Sequence, residues 1–418
     1  MTRQPPGDQN LLTRLIALAV SFLLVLAAGS ARAASPASSA PLTSTDKLRQ
    51  FMEQVRPQPA ASQAGGQAVR EAVAVSPARL KERADLLKAG EAALAGLDVA
   101  SALDAFERAA LILHSADTEI ALVRGYMQAG DYRRALAFGA HTAGAHLDVI
   151  GGSLLYAWLL HAGGQPAIAQ RLLAAAEARM PGNAGVAAVQ QQITSGMPVA
   201  SGQLLDLPTR LAPYGDMTGL LGSARVVGSA VLLPGGSQAL VPLNLLPVSG
   251  RLWLRNGLGQ LAQATLDRRW PASSIARVRL KQPLPVPEAL QWAASDAFPG
   301  SPGYAVEYTR TLDAMPAWPI LRSGFLGAVQ GDSGQRLLGI DMPLGARGGP
   351  VFDGAGRLIG LALPASGKGG DRLVPVSQLK KILGETSAAQ PPGLLPRSSA
   401  DAIYESSLKT SLQVITAP

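Results

Sequence analysis

The residues able to do chemistry are unevenly spread along this chain. Its four histidines, His114, His141, His146 and His161, all lie in the first half, and there is no cysteine. A thiolate nucleophile, a disulfide framework and a cysteine metal site are therefore excluded. His141 and His146 are five residues apart, out of the i, i+4 phase that sets two imidazoles on one helix face, and His161 is distant. Packing or helix-surface roles are expected for them, with no metal and no cofactor. The second half carries a glycine-rich run, Gly345-Ala346-Arg347-Gly348-Gly349-Pro350, with Asp341 six residues before Arg347. A guanidinium is always protonated, so Arg347 cannot attack a carbonyl, but it is suited to bidentate recognition of a carboxylate. Gly331-Asp332-Ser333-Gly334 contains a hydroxyl, yet it lies between two strand-like runs where such residues make a tight turn. Lys281, Lys368 and Lys380 have no suitably placed serine with which to share a proton.

The elements that must position these groups come in two textures. From 77 to 198 the chain is rich in Ala and Leu at helical spacing, as in Leu103, Phe106, Ala110 and Leu113. Ala102, Ala135 and Ala169 recur at intervals of 33 and 34 residues, each near the start of the second helix of a pair. From 199 to 386 short apolar runs alternate with Gly, Pro and Asp, as strands and turns do. Strands are expected at 230–233, 238–241, 251–255, 276–280, 304–308, 324–329, 337–340, 350–352 and 358–363, with a closing helix at 376–383. About a dozen short strands suggest a pair of small antiparallel barrels.

Outside these halves, Arg3 and Arg14 flank and precede an apolar run, Leu15–Ala28, followed by Ala31-Arg32-Ala33. This is the pattern of a secretory signal peptide occupying 1–33, cleaved after Ala33; retention as an anchor is the alternative. Residues 34–76 are rich in Ala, Ser, Pro and Gln and are expected to act as a linker. Residues 387–418 begin as a Pro/Ser-rich tail and end in a short helix and strand. The formal charge of +8 is dispersed along the chain rather than gathered into a basic block with aromatics, which argues against nucleic-acid binding. No second apolar stretch of spanning length follows the first, so no stable membrane insertion is expected after cleavage.

The 33–34-residue period, with Gly90 and Phe106 in the first unit, Tyr126 and Gly130-Asp131-Tyr132 in the second, and Gly164 and Pro181-Gly182-Asn183 in the third, resembles the tetratricopeptide repeat. That resemblance implies a helical solenoid with a groove for a peptide or partner helix. The run Gly345–Gly360 resembles the nucleophile loop of trypsin-like serine proteases, including the high-temperature-requirement branch, but Arg347 stands in the place of the serine. In the same resemblance Asn244 occupies the histidine position and Ser274 the aspartate position. The chain around Asp401, Ile403, Tyr404 and Glu405 is similar to the helix that leads into such domains, and Leu412–Ile415 to their first strand.

The resemblance implies an α plus β architecture: a tetratricopeptide-like solenoid followed by a trypsin-like double β-barrel. It also implies a degenerate triad, Asn244, Ser274 and Arg347, with no imidazole in residues 199–418 to move a proton. The expected function is that of an exported, periplasmic, non-catalytic protein- or peptide-binding adaptor. Gly345, Arg347, Gly348 and Asp341 would line the old cleft and hold a carboxylate, or Arg347 would pair with a neighbour such as Asp341 and plug it. The alternatives are an active serine endopeptidase with an unrecognised or borrowed site, and a purely structural assembly component.

Overall fold

The computed structural model describes residues 75–195, 202–203, 208–209, 211–286, 291–330, 335–342, 347–365, 370–384 and 397–417. All of them belong to one compact unit, Gly66–Pro418. The signal and linker assignments, Gly345, Ser333 and Lys368 lie outside the described residues.

Seven helices come first: α1 (Pro77–Ala95), α2 (Val99–Ile112), α3 (Ala116–Ala129), α4 (Tyr132–Ala145), α5 (Ile150–Ala162), α6 (Pro166–Arg179) and α7 (Ala184–Ser195). Local chemistry sets several of their ends. Ser76 caps α1 ahead of Pro77, Asp98 and Asp131 cap α2 and α4, and Gly130 ends α3 at φ 79°. Ala102, Ala135 and Ala169 are each the fourth residue of α2, α4 and α6 and are fully buried. Their small side chains let helices approach closely. At Gly90 the fit is tighter still, because a Cβ there would lie 2.3 Å from the Phe106 ring.

A two-residue ladder, β1 (Gly202–Gln203) with β2 (Pro208–Thr209), follows the helices. The next strands are β3 (Arg225–Leu232), β4 (Gln238–Pro242), β5 (Arg251–Asn256), β6 (Leu261–Trp270) and β7 (Ile275–Leu280). After them come β8 (Pro302–Glu307), β9 (Ile320–Phe325), β10 (Val329–Gln330), β11 (Gln335–Leu337), β12 (Pro350–Phe352), β13 (Leu358–Leu363) and β14 (Arg372–Pro375). Helix α8 (Val376–Leu383) matches the expected closing helix, and α9 (Ala400–Thr410) leads into β15 (Ser411–Ala417).

The first β unit is a closed barrel in the order β15-β3-β4-β7-β6-β5. Each strand sends a pair of side chains two residues apart into its core: Leu412 and Val414, Ala230 and Leu232, Ala239 and Val241, Val278 and Leu280, Ala262 and Ala264, Leu252 and Leu254. The second is a seven-stranded sheet, β10-β11-β14-β13-β12-β8-β9, over a core that includes Ala305, Leu326, Ile340, Val351, Ile359 and Leu373. A helical half and a β half of two antiparallel units is the architecture expected from the sequence.

Three details differ from expectation. The short terminal strand expected at the end of the 387–418 tail is β15, which pairs with β3 along one edge and β5 along the other and closes the first barrel, so the tail's end belongs to the barrel rather than lying apart from it. Closure is a non-local property, so the local pattern gives the strand but not which two edges it joins. The strands expected at 324–329 and 337–340 lie earlier, as β9 and β11, because Gly339 at φ 70° and the close approach of Gly327 to Leu337 bend the chain there. The ten-residue β6 was not foreseen, because its second half, Leu266-Asp267-Arg268-Arg269, is exposed and polar.

The helical and β halves share a built interface. Gln128 donates to the carbonyls of Tyr214 (3.0 Å) and Leu258 (2.6 Å) and accepts from the Tyr214 amide at 2.8 Å. Tyr132 meets Tyr404 edge to face at 4.5 Å, and Arg133 binds Glu405 of α9 through both its backbone amide and its guanidinium. Tyr404, fully buried, donates to the Pro319 carbonyl at 2.8 Å.

Candidate functional site: a degenerate cleft

The three positions assigned from sequence lie on segments that the fold brings into contact. Asn244 sits, exposed, in the single helical turn Leu243–Leu245 that follows β4. Ser274 precedes β7 at φ 57°, and its carbonyl accepts from the Leu243 amide at 3.0 Å, next to the Pro242–Ile275 pair of the β4–β7 ladder. The loop that carries Arg347 rests on the same region, for a Cβ at Gly348 would lie 2.0 Å from the Ser229 carbonyl oxygen and 2.8 Å from the Pro242 ring. Glycine is required there by contact as well as by its φ of 147°.

Arg347 does not reach outward. It is 7% exposed, its Nε donates to Asp371 Oδ2 at 2.6 Å, and its Nη2 donates to the Met342 carbonyl at 3.3 Å. The expected neighbour was Asp341; the partner is Asp371, placed just before β14 where the sheet brings it under the loop. Asp341 is exposed and instead acts electrostatically on Arg322 of β9. Sequence distance alone favoured Asp341, whereas strand pairing decides for Asp371. Of the other lysines considered, Lys380 donates to the Ala293 carbonyl at 2.8 Å and Lys281 to Gln263 at 2.6 Å.

Beneath the loop lies a carboxylate that the sequence did not single out. Glu307, at the end of β8, accepts from the backbone amides of Gly349 (3.0 Å) and Gly348 (3.3 Å). Burial pushes its carboxyl up to about 7, against the opposing influence of the Ser229 hydroxyl, the two glycine amides and the Arg347 charge. Ser229 also accepts from the Tyr308 amide at 2.7 Å. These contacts make Glu307 a strut that fixes the loop to β3 and β8. A signal was present in the form of a lone Glu in an otherwise apolar strand, Pro302–Glu307, which requires partners if buried.

Residues 199–418 contain no histidine. His161 of α5 is buried beside Trp158, and burial together with the Arg322 charge pushes its imidazole down to about 4. It is therefore neutral near pH 7. Asn244, Ser274 and Arg347 cannot among them accept and return a proton near neutral pH. The arrangement can hold a backbone loop rigidly and present the exposed Asn244 edge to solvent.

No helix among the described residues is long and apolar enough to cross a membrane. No curated protein matches the chain. Residues 218–361 match the family model of the trypsin-like peptidase domain, a stretch that begins before β3, ends within β13 and contains Asn244, Ser274 and Arg347, so this part of the β half is similar to a trypsin-like peptidase domain.

Proposed function

We propose that this is an exported, non-catalytic member of the protease-fold proteins, acting as an adaptor that binds a protein or peptide. The observation that carries the reading is Arg347 at the nucleophile position, buried and held by Asp371, in a domain whose sequence contains no histidine. Export to the periplasm rests on the Leu15–Ala28 apolar run and the Ala31-Arg32-Ala33 site. The helix pairs, with starts of α2, α4 and α6 spaced 33 and 34 residues apart, support a tetratricopeptide-like solenoid as one binding element. The cleft around Gly345, Arg347, Gly348 and Asp341 is the other; a carboxylate-bearing segment there would have to compete with Asp371 for the guanidinium.

The test is capture from a periplasmic extract with the mature chain, followed by a binding titration with the captured partner's segments. A partner bound saturably, with affinity altered by Arg347→Ala or by changes on the helical surface, supports the adaptor. A second reading, a structural assembly part, draws on the interface of Gln128, Tyr132 and Arg133 with the β half, which already commits part of the helical surface. Co-purification without any saturable peptide binding favours that reading.

A further inference from the structure

Three segments of the helical half converge on one buried carboxylate. Glu119 lies in the first turn of α3 with its side chain 1% exposed. His114, in the short turn between α2 and α3, forms an ion pair through Nε2 with Glu119 Oε1. His141, near the end of α4, has its Nε2 3.4 Å from the same oxygen, and His146, which caps α4, has its Nε2 3.4 Å from Oε2. The Nε2 atoms of His114 and His141 are 3.5 Å apart. His114, Glu119 and His146 each offer a ligand atom within 4.8 Å of the others.

Three of these spacings are those of a metal's coordination shell, and the closer His114–Glu119 contact would open to admit an ion. Bonds of about 2.0–2.1 Å arranged tetrahedrally put neighbouring ligand atoms about 3.4 Å apart, and three of the separations above are 3.4, 3.4 and 3.5 Å. Hydrogen bonding accounts for the arrangement less well. Both Glu119 oxygens and His146 Nε2 make no hydrogen bond of ordinary geometry, only these close ionic approaches. Two imidazole nitrogens that face each other while both face one carboxylate oxygen crowd their protons; a central cation lets every lone pair point inward. Three nitrogens and one oxygen form a donor set for zinc and its neighbours, not for magnesium or calcium, which take oxygen ligands. The histidine side chains are 16–31% exposed, which leaves an ion a way in.

We propose that His114, Glu119 and His146, with His141 beside them as a further donor, form a binding site for a divalent first-row transition metal of the zinc class. The ion ties the α2–α3 turn to the end of α4 and so clamps the first two helix pairs together. The i, i+4 rule that set these histidines aside misses the site because the ligands come from a turn, a helix start and a helix end.

The test is a titration of the full chain, free of any polyhistidine tag and stripped with a chelator, with zinc alone and then with cobalt(II). Expected are one equivalent of zinc per chain with a Kd below about 1 µM and visible cobalt bands of a low-coordinate site. A rise in the thermal midpoint at saturating zinc should accompany them. His141→Gln and His146→Gln, both at partly exposed positions, should each weaken zinc binding by about tenfold or more, with folding confirmed by circular dichroism. The double substitution His114→Gln and His146→Gln should abolish it. No saturable zinc binding by the folded wild-type chain overturns the proposal, and so does unchanged affinity in the folded double variant. The wild-type titration decides the matter should a variant fail to fold.

Discussion

Two regions of this molecule invert what their surroundings suggest. The β half matches a trypsin-like peptidase model over residues 218–361, yet its sequence holds no histidine, and Arg347, which our reading sets at the nucleophile position, is held by Asp371. The helical half gathers three imidazoles around one buried Glu119. Both regions rely on a fully buried glutamate, and the two are used differently. Glu307 is surrounded by backbone amides and a hydroxyl, so its role is to hold a loop. Glu119 is surrounded by histidines, so its role depends on what charge sits among them. The lesson is that a fold places a site, while the side chains around the buried charge decide what the site does.

The largest expected effect comes from removing residues 398–418. Without β15 the edges of β3 and β5 lose their pairing, Leu412 and Val414 leave the barrel core, and Tyr404 leaves the interface. The shortened chain is expected to lose its cooperative unfolding transition, seen by near-ultraviolet circular dichroism during heating. An unchanged transition would mean that the cleft's scaffold is not closed as described.

Glu307→Gln sharpens the contrast between the two glutamates. With a folded value near 7 against an ordinary value of 4.5, the native state binds more protons than the unfolded chain between those limits. Stability on its account therefore falls as pH rises through that window, by about 3 kcal/mol at pH 8. The glutamine keeps an acceptor for Gly348 and Gly349 and carries no charge. The variant should be more stable than wild type at pH 8 by up to about 3 kcal/mol in urea denaturation, with a flatter profile between pH 5 and pH 7. Parallel profiles for the two proteins would contradict the assignment.

Smaller effects attend Arg347. Replacing it with alanine leaves Asp371 Oδ2 and the Met342 carbonyl without the Arg347 donor, at a cost of about 2 kcal/mol, measurable by the same denaturation. Arg347→Ser places a hydroxyl on the loop but no imidazole, and Glu307 is held by the Gly348 and Gly349 amides, so no hydrolytic activity is expected from it. Measurable cleavage by that variant would show that a proton acceptor has been overlooked.

Much of this was legible in the sequence because it is local. Helix α8 follows from the spacing of Val376, Leu379 and Leu383, and the β3–β4 hairpin from Gly235-Gly236 between two apolar runs. The helix pairs follow from the recurrence of Ala102, Ala135 and Ala169. Long-range closure was not legible. Nothing near Leu412 states that its partners are Ala230 and Asn256, and nothing near Arg347 marks Asp371 over Asp341. The candidate positions Asn244, Ser274 and Arg347 were found through resemblance, and the structure sets their segments against one another. Glu307 and the convergence on Glu119 were missed because each depends on burial and on groups brought from separate elements.

The central proposal is that the β half, similar over residues 218–361 to a trypsin-like peptidase domain, does not cut peptide bonds. It is tested most directly by incubating the purified wild-type chain with casein and, in parallel, with a fluorophosphonate probe. The account predicts intact casein and no covalent labelling. Labelling and cleavage that both vanish on replacement of a single serine would contradict it.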